Sequence, residues 1–521
     1  MAKMKDCSNR GKLMIMIGLL VIAPLVILPF YPQDIGYAIY FLLTGLLSIL
    51  TGGLVCAFGK REAYFSSDRL TAQRHSNNTV LFTWFWGIAV GAMPFFLSGQ
   101  LRFVQSLFES VSGWTTTGLS AMDVTKTSHI FLFYRSFMQY CGGLGFVMMM
   151  VMLVSGKRSM DLFNAEGHPD KLMPNLKQTA QTIFEMYIIF LVVGTTAYMV
   201  CGMPLFDSLC HAMCSLSTGG FSTKLSSIGE YHSLSIEIVT IVLMLIGTTN
   251  FAVLLLLLRG KWRQAAKVSE VRFLFLLLLL FVPLMALSLS DSMGLGAGLR
   301  HALFNAASAL STTGYATTSY ESWPSFAIGL MILLMLIGGG IGSTAGGLKL
   351  TRVYLILRLI GQNMKRKLLP QRCVDVPTYV KAQGRTKIDE ELCSDTVGFV
   401  GCYLLLFLAG ALLLTVTSGC GLEKAMFEFA SALGTVGLSI GLTGPATNNA
   451  TLVVEMIGMI LGRLEIFIVL TGAYYGLHET RSLARKLLRA PVKPLVGFAL
   501  RLHVSCHCET SPLKWSWQSL G

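Results

Sequence analysis

Charge is what this chain has least of. Only 13% of its 521 residues are Asp, Glu, Lys or Arg, while 53% are hydrophobic. A soluble domain carries roughly 25% charged residues, and with a mean hydropathy of +0.63 the composition excludes a string of soluble domains. The 12 cysteines are scattered, many inside apolar segments, so no disulfide scaffold is expected. No P-loop and no Gly-x-Gly-x-x-Gly turn in a strand–helix context is present, so the chain is expected to bind no nucleotide or other cofactor itself. His211 and His301 have no recurring Ser or Asp partner, which argues against an enzyme. The acids of the apolar stretches, Glu185, Glu237, Glu455 and Glu465, form no clear relay. The first apolar run, Leu13 to Phe30, is long enough to span and lacks a cleavage site, so no signal peptide is expected. His503, Cys506, His507 and Cys508 cluster near the C-terminus without a second ligand pair at zinc-finger spacing, and read as part of a tail.

The formal net charge of +14 invites a nucleic-acid reading, which its distribution opposes. Basic residues crowd alternate loops: Lys3 to Lys12, Lys60 to Arg74, Lys157 to Lys177, Arg259 to Lys267, Arg352 to Lys387, and the tail from Arg481 to Lys493. The intervening segments hold few, chiefly Arg102, Lys126, Lys224, Arg300 and Lys424. This is the positive-inside pattern of a polytopic membrane protein, with both termini cytoplasmic.

What the chain does have is a fourfold repeat. Thr115-Thr116-Thr117-Gly118-Leu119-Ser120, Ser217-Thr218-Gly219-Gly220-Phe221-Ser222, Ser311-Thr312-Thr313-Gly314-Tyr315-Ala316 and Gly434-Thr435-Val436-Gly437-Leu438-Ser439 share a Thr two places before a Gly, then a bulky apolar and a small residue. The likeness continues upstream, where Phe108-Glu109 matches Phe427-Glu428 and, less closely, Phe304-Asn305; Cys210-His211 is the most divergent copy. One small-residue stretch in a membrane protein only lets helices pack. Four aligned copies between apolar runs predict a ring of loops whose backbone carbonyls replace an ion's hydration shell. The candidate ion-binding residues are Thr116, Thr117, Gly118, Thr218, Gly219, Gly220, Thr312, Thr313, Gly314, Thr435, Val436 and Gly437.

With about 20 apolar residues per span, the chain divides into an opening hairpin (Lys12–Tyr31, Gly36–Phe58) and four modules of helix, re-entrant loop and helix. The helices of the modules are Thr79–Ser98 and Ile130–Ser155, Thr179–Cys201 and Leu234–Leu258, Val271–Leu289 and Phe326–Leu357, and Thr396–Val416 and Leu452–Gly476. The expected fold is thus an all-α polytopic membrane protein with ten spans and four half-spans around one pore. Its segments are 1–75 (hairpin and loop), 76–158, 159–260, 261–390 and 391–476 (pore modules) and 477–521 (tail). Non-helical backbone at membrane depth must line a cavity or be buried in protein, so the loops must face one another. The short helices before them would point their C-terminal ends inward, favouring a cation. Glu109 and Glu428 read as carboxylates near the starts of these helices, and Arg135 as a snorkelling or packing residue.

Two features inside the spans point to control. Gly338, Gly339, Gly340, Gly342, Ser343, Thr344, Gly346 and Gly347 lie midway through an apolar run too long for one straight helix, and predict an irregular gate segment beneath the filter. Arg463 is a charge at membrane depth, expected to face a cavity or a partner; Glu465, two residues on, lies on another helix face.

These filters, the Gly-rich break and Met459-Ile460-Leu461-Gly462-Arg463 resemble the Trk/Ktr/HKT cation transporter superfamily, over roughly Thr79 to Gly476. The opening hairpin and Phe133-Tyr134-Arg135-Ser136-Phe137-Met138-Gln139-Tyr140-Cys141-Gly142-Gly143-Leu144-Gly145 are similar to the TrkH/TrkG type. The resemblance implies potassium uptake across a bacterial inner membrane, a homodimer with a pore per protomer, and a cytoplasmic nucleotide-binding ring of the TrkA type. It implies that Gly at all four filter positions is the potassium form, that Gly338–Gly347 is the gate and that Arg463 is the family's arginine in the last helix. A sodium or weakly selective pathway is the competing reading. Whether transport is channel-like or coupled to an ion gradient stays open.

Overall fold

The computed structural model describes residues 9–58, 69–145, 176–368, 378–464 and 466–472. The C-terminal cluster from His503 to Cys508, Glu465, the far end of the first module at Ser155 and basic residues such as Lys157 and Arg158 lie outside the described residues.

Among the described residues, six helices are long and apolar enough to cross a membrane: Asn9–Ile27, Pro32–Phe58, Asn77–Leu97, Gln178–Val200, Ser269–Met293 and Glu390–Ser418. Their Leu, Ile and Val side chains are exposed on one flank, as lipid-facing surface should be. Four short helices, Phe103–Trp114, Leu205–Leu216, Leu295–Ser311 and Leu422–Leu433, are buried over most of their last two turns.

The opening pair packs through glycine. Gly11 and Gly18 face Gly52 and Gly45, and a Cβ added at Gly18 would stand 2.6 Å from the Gly45 carbonyl oxygen. Helices this close gain van der Waals contact that no apolar solvent competition supplies in lipid. The Ser48 hydroxyl donates to the Met14 carbonyl at 2.8 Å, and Trp86 Nε1 donates to Ser48 at 2.9 Å, tying the pair to the first module. The Asp34 carboxylate accepts from the Ile130 amide at 2.9 Å, an anion at a helix start.

The expectation of an unbroken second helix in the second module needs correction. Among the described residues, the second helices of the modules run His129–Leu144, Leu234–Thr248, Ser325–Ile337 and Asn449–Arg463, the last followed by helical residues 466–472. Leu234–Leu258, expected as one helix, is broken after Thr248 and bent by 115° before Phe251–Leu258. Thr248-Thr249-Asn250 favours this break, because the Asn250 side chain caps the next helix by accepting from the Ala252 amide at 2.7 Å. The stretch from Arg352 to Lys387 is likewise no plain loop. It is a helix (Leu350–Leu368) followed by an antiparallel hairpin pairing Thr378–Lys381 with Gly384–Lys387.

Gly18→Leu should lower the thermal midpoint of the purified protein in detergent by the equivalent of ~1–3 kcal/mol, the scale of an overpacked contact. Gly53→Leu, where an added Cβ meets nothing within 4 Å, should leave it unchanged or raise it slightly. Equal midpoints for the two variants would show that the close glycine contact does not hold the pair.

Candidate ion-coordinating site

Each short helix ends in the same backbone sequence. The Thr after its last turn is left-handed in all four copies, with φ of +55° at Thr116, +52° at Thr218, +56° at Thr312 and +50° at Thr435. A residue with a side chain in this region costs roughly 1–2 kcal/mol, so a fourfold occurrence needs a fourfold compensation. The next amide supplies it: Thr117, Gly219, Thr313 and Val436 donate back to Ser112, Cys214, Ser308 and Ser431 carbonyls at 2.8 to 3.0 Å. These bonds satisfy carbonyls that a helix end leaves orphaned. The Gly two places after the Thr is again at positive φ, +96°, +75°, +85° and +96° at Gly118, Gly220, Gly314 and Gly437.

These glycines close a ring. A Cβ on Gly118 would strike the Gly219 carbonyl oxygen; on Gly220, that of Thr313; on Gly314, that of Val436; and on Gly437, that of Thr117. The chain of contacts passes through all four modules and returns to the first. Four carbonyl oxygens and four glycines therefore meet around one axis, each glycine required both by its dihedral and by its neighbour's oxygen.

The outgoing limb of each loop is pinned to its own helix by the residue nine places before the Gly. Glu109 accepts from the Ser120 hydroxyl at 2.6 Å and from the Ala121 and Met122 amides at 2.7 and 3.1 Å. Glu428 accepts from Ser439, from the Ile440 and Thr443 amides at 3.0 and 3.1 Å, and from the Thr443 hydroxyl. His211 meets Ser222 at 3.0 Å. Asn305 donates to Thr317 at 3.0 Å and accepts from the Tyr320 hydroxyl at 2.6 Å. Glu109 and Glu428 thus sit mid-helix and fully buried, a correction to their expected place at the helix starts: loop amides, not a helix terminus, hold the charge. For Arg135, burial removes the snorkelling reading and leaves the packing one. This residue is 2% exposed, pairs with Glu109 at 3.0 Å and lies 4.0 Å over the Phe221 ring.

One side of the ring opens into a cavity of about 610 Å³ lined by the four glycines, Ser120, Ser222 and Ser439. Asp123, between lining residues Met122 and Val124, is held below the ordinary carboxylate range by the Thr125 hydroxyl and Lys126. On the other side, residues 338–349 are non-helical between Ile337 and Leu350. The Thr344 hydroxyl bonds the Gly247 and Leu216 carbonyls at 2.9 and 3.0 Å and meets the Thr218 hydroxyl at 3.2 Å. The Gly346 amide donates to Thr312 Oγ1 at 2.8 Å. The Oγ1 atoms of Thr116 and Thr435 are buried without a hydrogen-bond partner among the described residues. Arg463 donates to the Thr344 carbonyl and to the Gly142 carbonyl, both at 2.7 Å. It joins the glycine segment to the C-terminal end of a first-module helix, where a cation is favoured. Gln139, to which no role was given from sequence, donates to the Gly219 carbonyl at 2.6 Å and accepts from the Phe221 amide at 3.0 Å.

Residues 47–479 match the family model described as TrkH, cation transport protein. The chain belongs to the TrkH family. It is therefore a multi-pass membrane transport protein and not an enzyme. It is similar to the Trk system potassium uptake protein TrkH of Escherichia coli K12, 29% identical over 405 residues, covering 74% of this chain and 82% of that one. It is similar to the Trk system potassium uptake protein TrkG of the same organism, 28% identical over 480 residues, covering 88% and 95%. Among solved structures, the potassium transporter TrkH of Vibrio parahaemolyticus superposes with a TM-score of 0.76 at 26% identity, covering 88% of this chain and 96% of that one.

Glu109→Ala should destabilise the purified TrkH-family protein by ~3–5 kcal/mol, because it strands Arg135 in a buried site. Glu109→Ala with Arg135→Met should recover part of the loss in the same thermal melt. A double variant no more stable than the single would show that the ion pair is not the source of the cost.

Proposed function

We propose that this chain is a potassium uptake subunit whose four Thr-x-Gly loops form one selectivity filter. The closed ring of glycines and carbonyls carries the reading: four carbonyl oxygens converge at a site where helix C-terminal ends also favour a cation. The filter residues are Thr116, Thr117, Gly118, Thr218, Gly219, Gly220, Thr312, Thr313, Gly314, Thr435, Val436 and Gly437, and the ion is cargo, with no cofactor. The unpartnered hydroxyls of Thr116 and Thr435 support a further set of oxygen ligands below the ring. The chain is read as four pore modules after an N-terminal hairpin, in the inner membrane with cytoplasmic termini. It is further read as a homodimer that works with a nucleotide-binding ring of the TrkA type, in keeping with relatives named as members of a Trk system.

The segment Gly338–Gly347 is the gate in this reading. It lies across the exit side of the ring, held by Thr344, Gly346 and Arg463. Pulling on the helix that begins at Leu350 would draw it aside. Arg463 adds a positive charge beside the path, screened in part by cavity water.

Proteoliposome flux with potassium, rubidium, sodium and lithium tests the function. Wild type should favour potassium and rubidium, and Gly118→Ser should lower the potassium-to-sodium ratio, since its side chain collides with the Gly219 carbonyl. Equal permeation of all four ions by wild type would support the weakly selective reading, and an unchanged ratio in the variant would remove Gly118 from the filter. Without a partner protein, shortening residues 339–346 should raise flux more than Arg463→Ala does. Equal flux for wild type and the shortened, folded variant would leave the segment a packing element.

A further inference from the structure

A second cavity, of about 340 Å³, lies at the N-terminal end of the Ser269–Met293 helix, away from the ring. Four cations from separate places line it: Lys267, Arg272, Arg358 and Arg385, with Tyr354 and Tyr379. Among the described residues no carboxylate lines it. The near one, Glu270, is turned to the Ile341 amide and the Thr351 hydroxyl. Among the described residues none of the four cations is ion-paired, and Arg272 Nε donates to the Ala266 carbonyl at 2.9 Å, which holds its guanidinium at the rim. The hairpin is tied in by the Val380 amide donating to Ser269 at 3.0 Å. Four like charges around one hollow repel one another and call for an anion with several acceptor oxygens. Directly beyond Arg272 the same helix exposes Phe275, Leu276, Leu279 and Leu280, each 55% to 75% accessible. A soluble anion would leave that stripe bare, whereas a phosphate with attached acyl chains covers it.

We propose that this cavity binds the headgroup phosphate of an anionic glycerophospholipid, with the chains along Phe275, Leu276, Leu279 and Leu280. This does not depend on the ring's ion preference. The test compares wild type with Arg272→Gln/Arg358→Gln/Arg385→Gln by native mass spectrometry after adding phosphatidylglycerol or phosphatidylcholine of matched chains. Wild type should retain phosphatidylglycerol in preference, and the triple variant should lose at least about tenfold of that preference, the scale of removing charge-assisted contacts. Equal retention by both proteins overturns the proposal. So does displacement of the lipid by inorganic phosphate at low millimolar concentration, which would mark a soluble-anion site. A triple variant that keeps lipid but loses capture of a nucleotide-binding partner ring overturns it in favour of a protein interface.

A separate observation concerns the ring. Of its four carbonyls, those of Thr117, Thr313 and Val436 accept no hydrogen bond from the described residues, whereas that of Gly219 takes the Gln139 amide at 2.6 Å. Gly219 stands where the other loops carry Thr, Thr and Val, and a Cβ there would strike the Gln139 side chain. A side chain of the first module thus fills the space that the second loop leaves empty. We infer that Gln139 is a specificity-determining positioning residue: its donor draws on one ring oxygen and fixes that oxygen's place, so the ion meets an unequal field. The inference rests on reading the ring as the ion site. Gln139→Glu keeps the shape and the acceptor for the Phe221 amide but loses the donor as a carboxylate. It should change the potassium-to-sodium flux ratio by about fivefold, the net scale of one hydrogen bond, whereas the companion Gln139→Met, which strands both the Gly219 carbonyl and the Phe221 amide, should also lower the thermal midpoint. Gly314→Ser is the control. A ratio altered by the control but not by Gln139→Glu overturns the role of Gln139 alone, and a ratio altered by neither overturns the ion-site reading beneath it.

Discussion

The rest of the molecule depends on one contact made four times: a glycine at positive φ pressed against the carbonyl oxygen that precedes the next loop's glycine. No side chain fits there, and no regular secondary structure delivers backbone to that place. The chain must therefore break helices in the interior, hold left-handed Thr residues against their preference, and find partners for the freed polar groups. Backward amide bonds to the helix ends, the pins at Glu109, His211, Asn305 and Glu428, and the surrounding spans all answer to that demand.

Much of this was legible because duplication makes a weak signal strong. Thr-x-Gly alone says little, but its recurrence at Gly118, Gly220, Gly314 and Gly437 between apolar runs located the loops, and six Gly within Gly338–Gly347 located the non-helical stretch. The pins were legible in principle and were misread. Glu109 and Glu428 read from sequence as helix-start carboxylates because acids favour that position. The constant spacing of nine residues to each Gly was the better signal, and it includes His211 and Asn305, whose different chemistry hid the equivalence.

Other features left little one-dimensional trace. The break at Thr248-Thr249-Asn250 lies inside an apolar run, where a single capping Asn is a weak signal, and the Gly340 amide reaching the Thr248 carbonyl at 3.0 Å joins the Asn250 cap in holding it. Gln139 and Arg135 look like ordinary polar residues on a membrane helix until Gly219, Phe221 and Glu109 are brought beside them from elsewhere in the chain. Such long-range pairings follow from topology, which composition and periodicity do not encode.

The unlike pins carry one more consequence. In a ring built from four identical subunits, a substitution lands four times at once, and a mildly harmful change becomes a lethal dose. Here Glu, His, Asn and Glu hold equivalent posts, and Gly219 stands opposite Thr, Thr and Val. A mutation enters this pore in a single quadrant. Each quadrant can accordingly drift by itself, with the other three keeping the ring shut around its axis while one explores new chemistry.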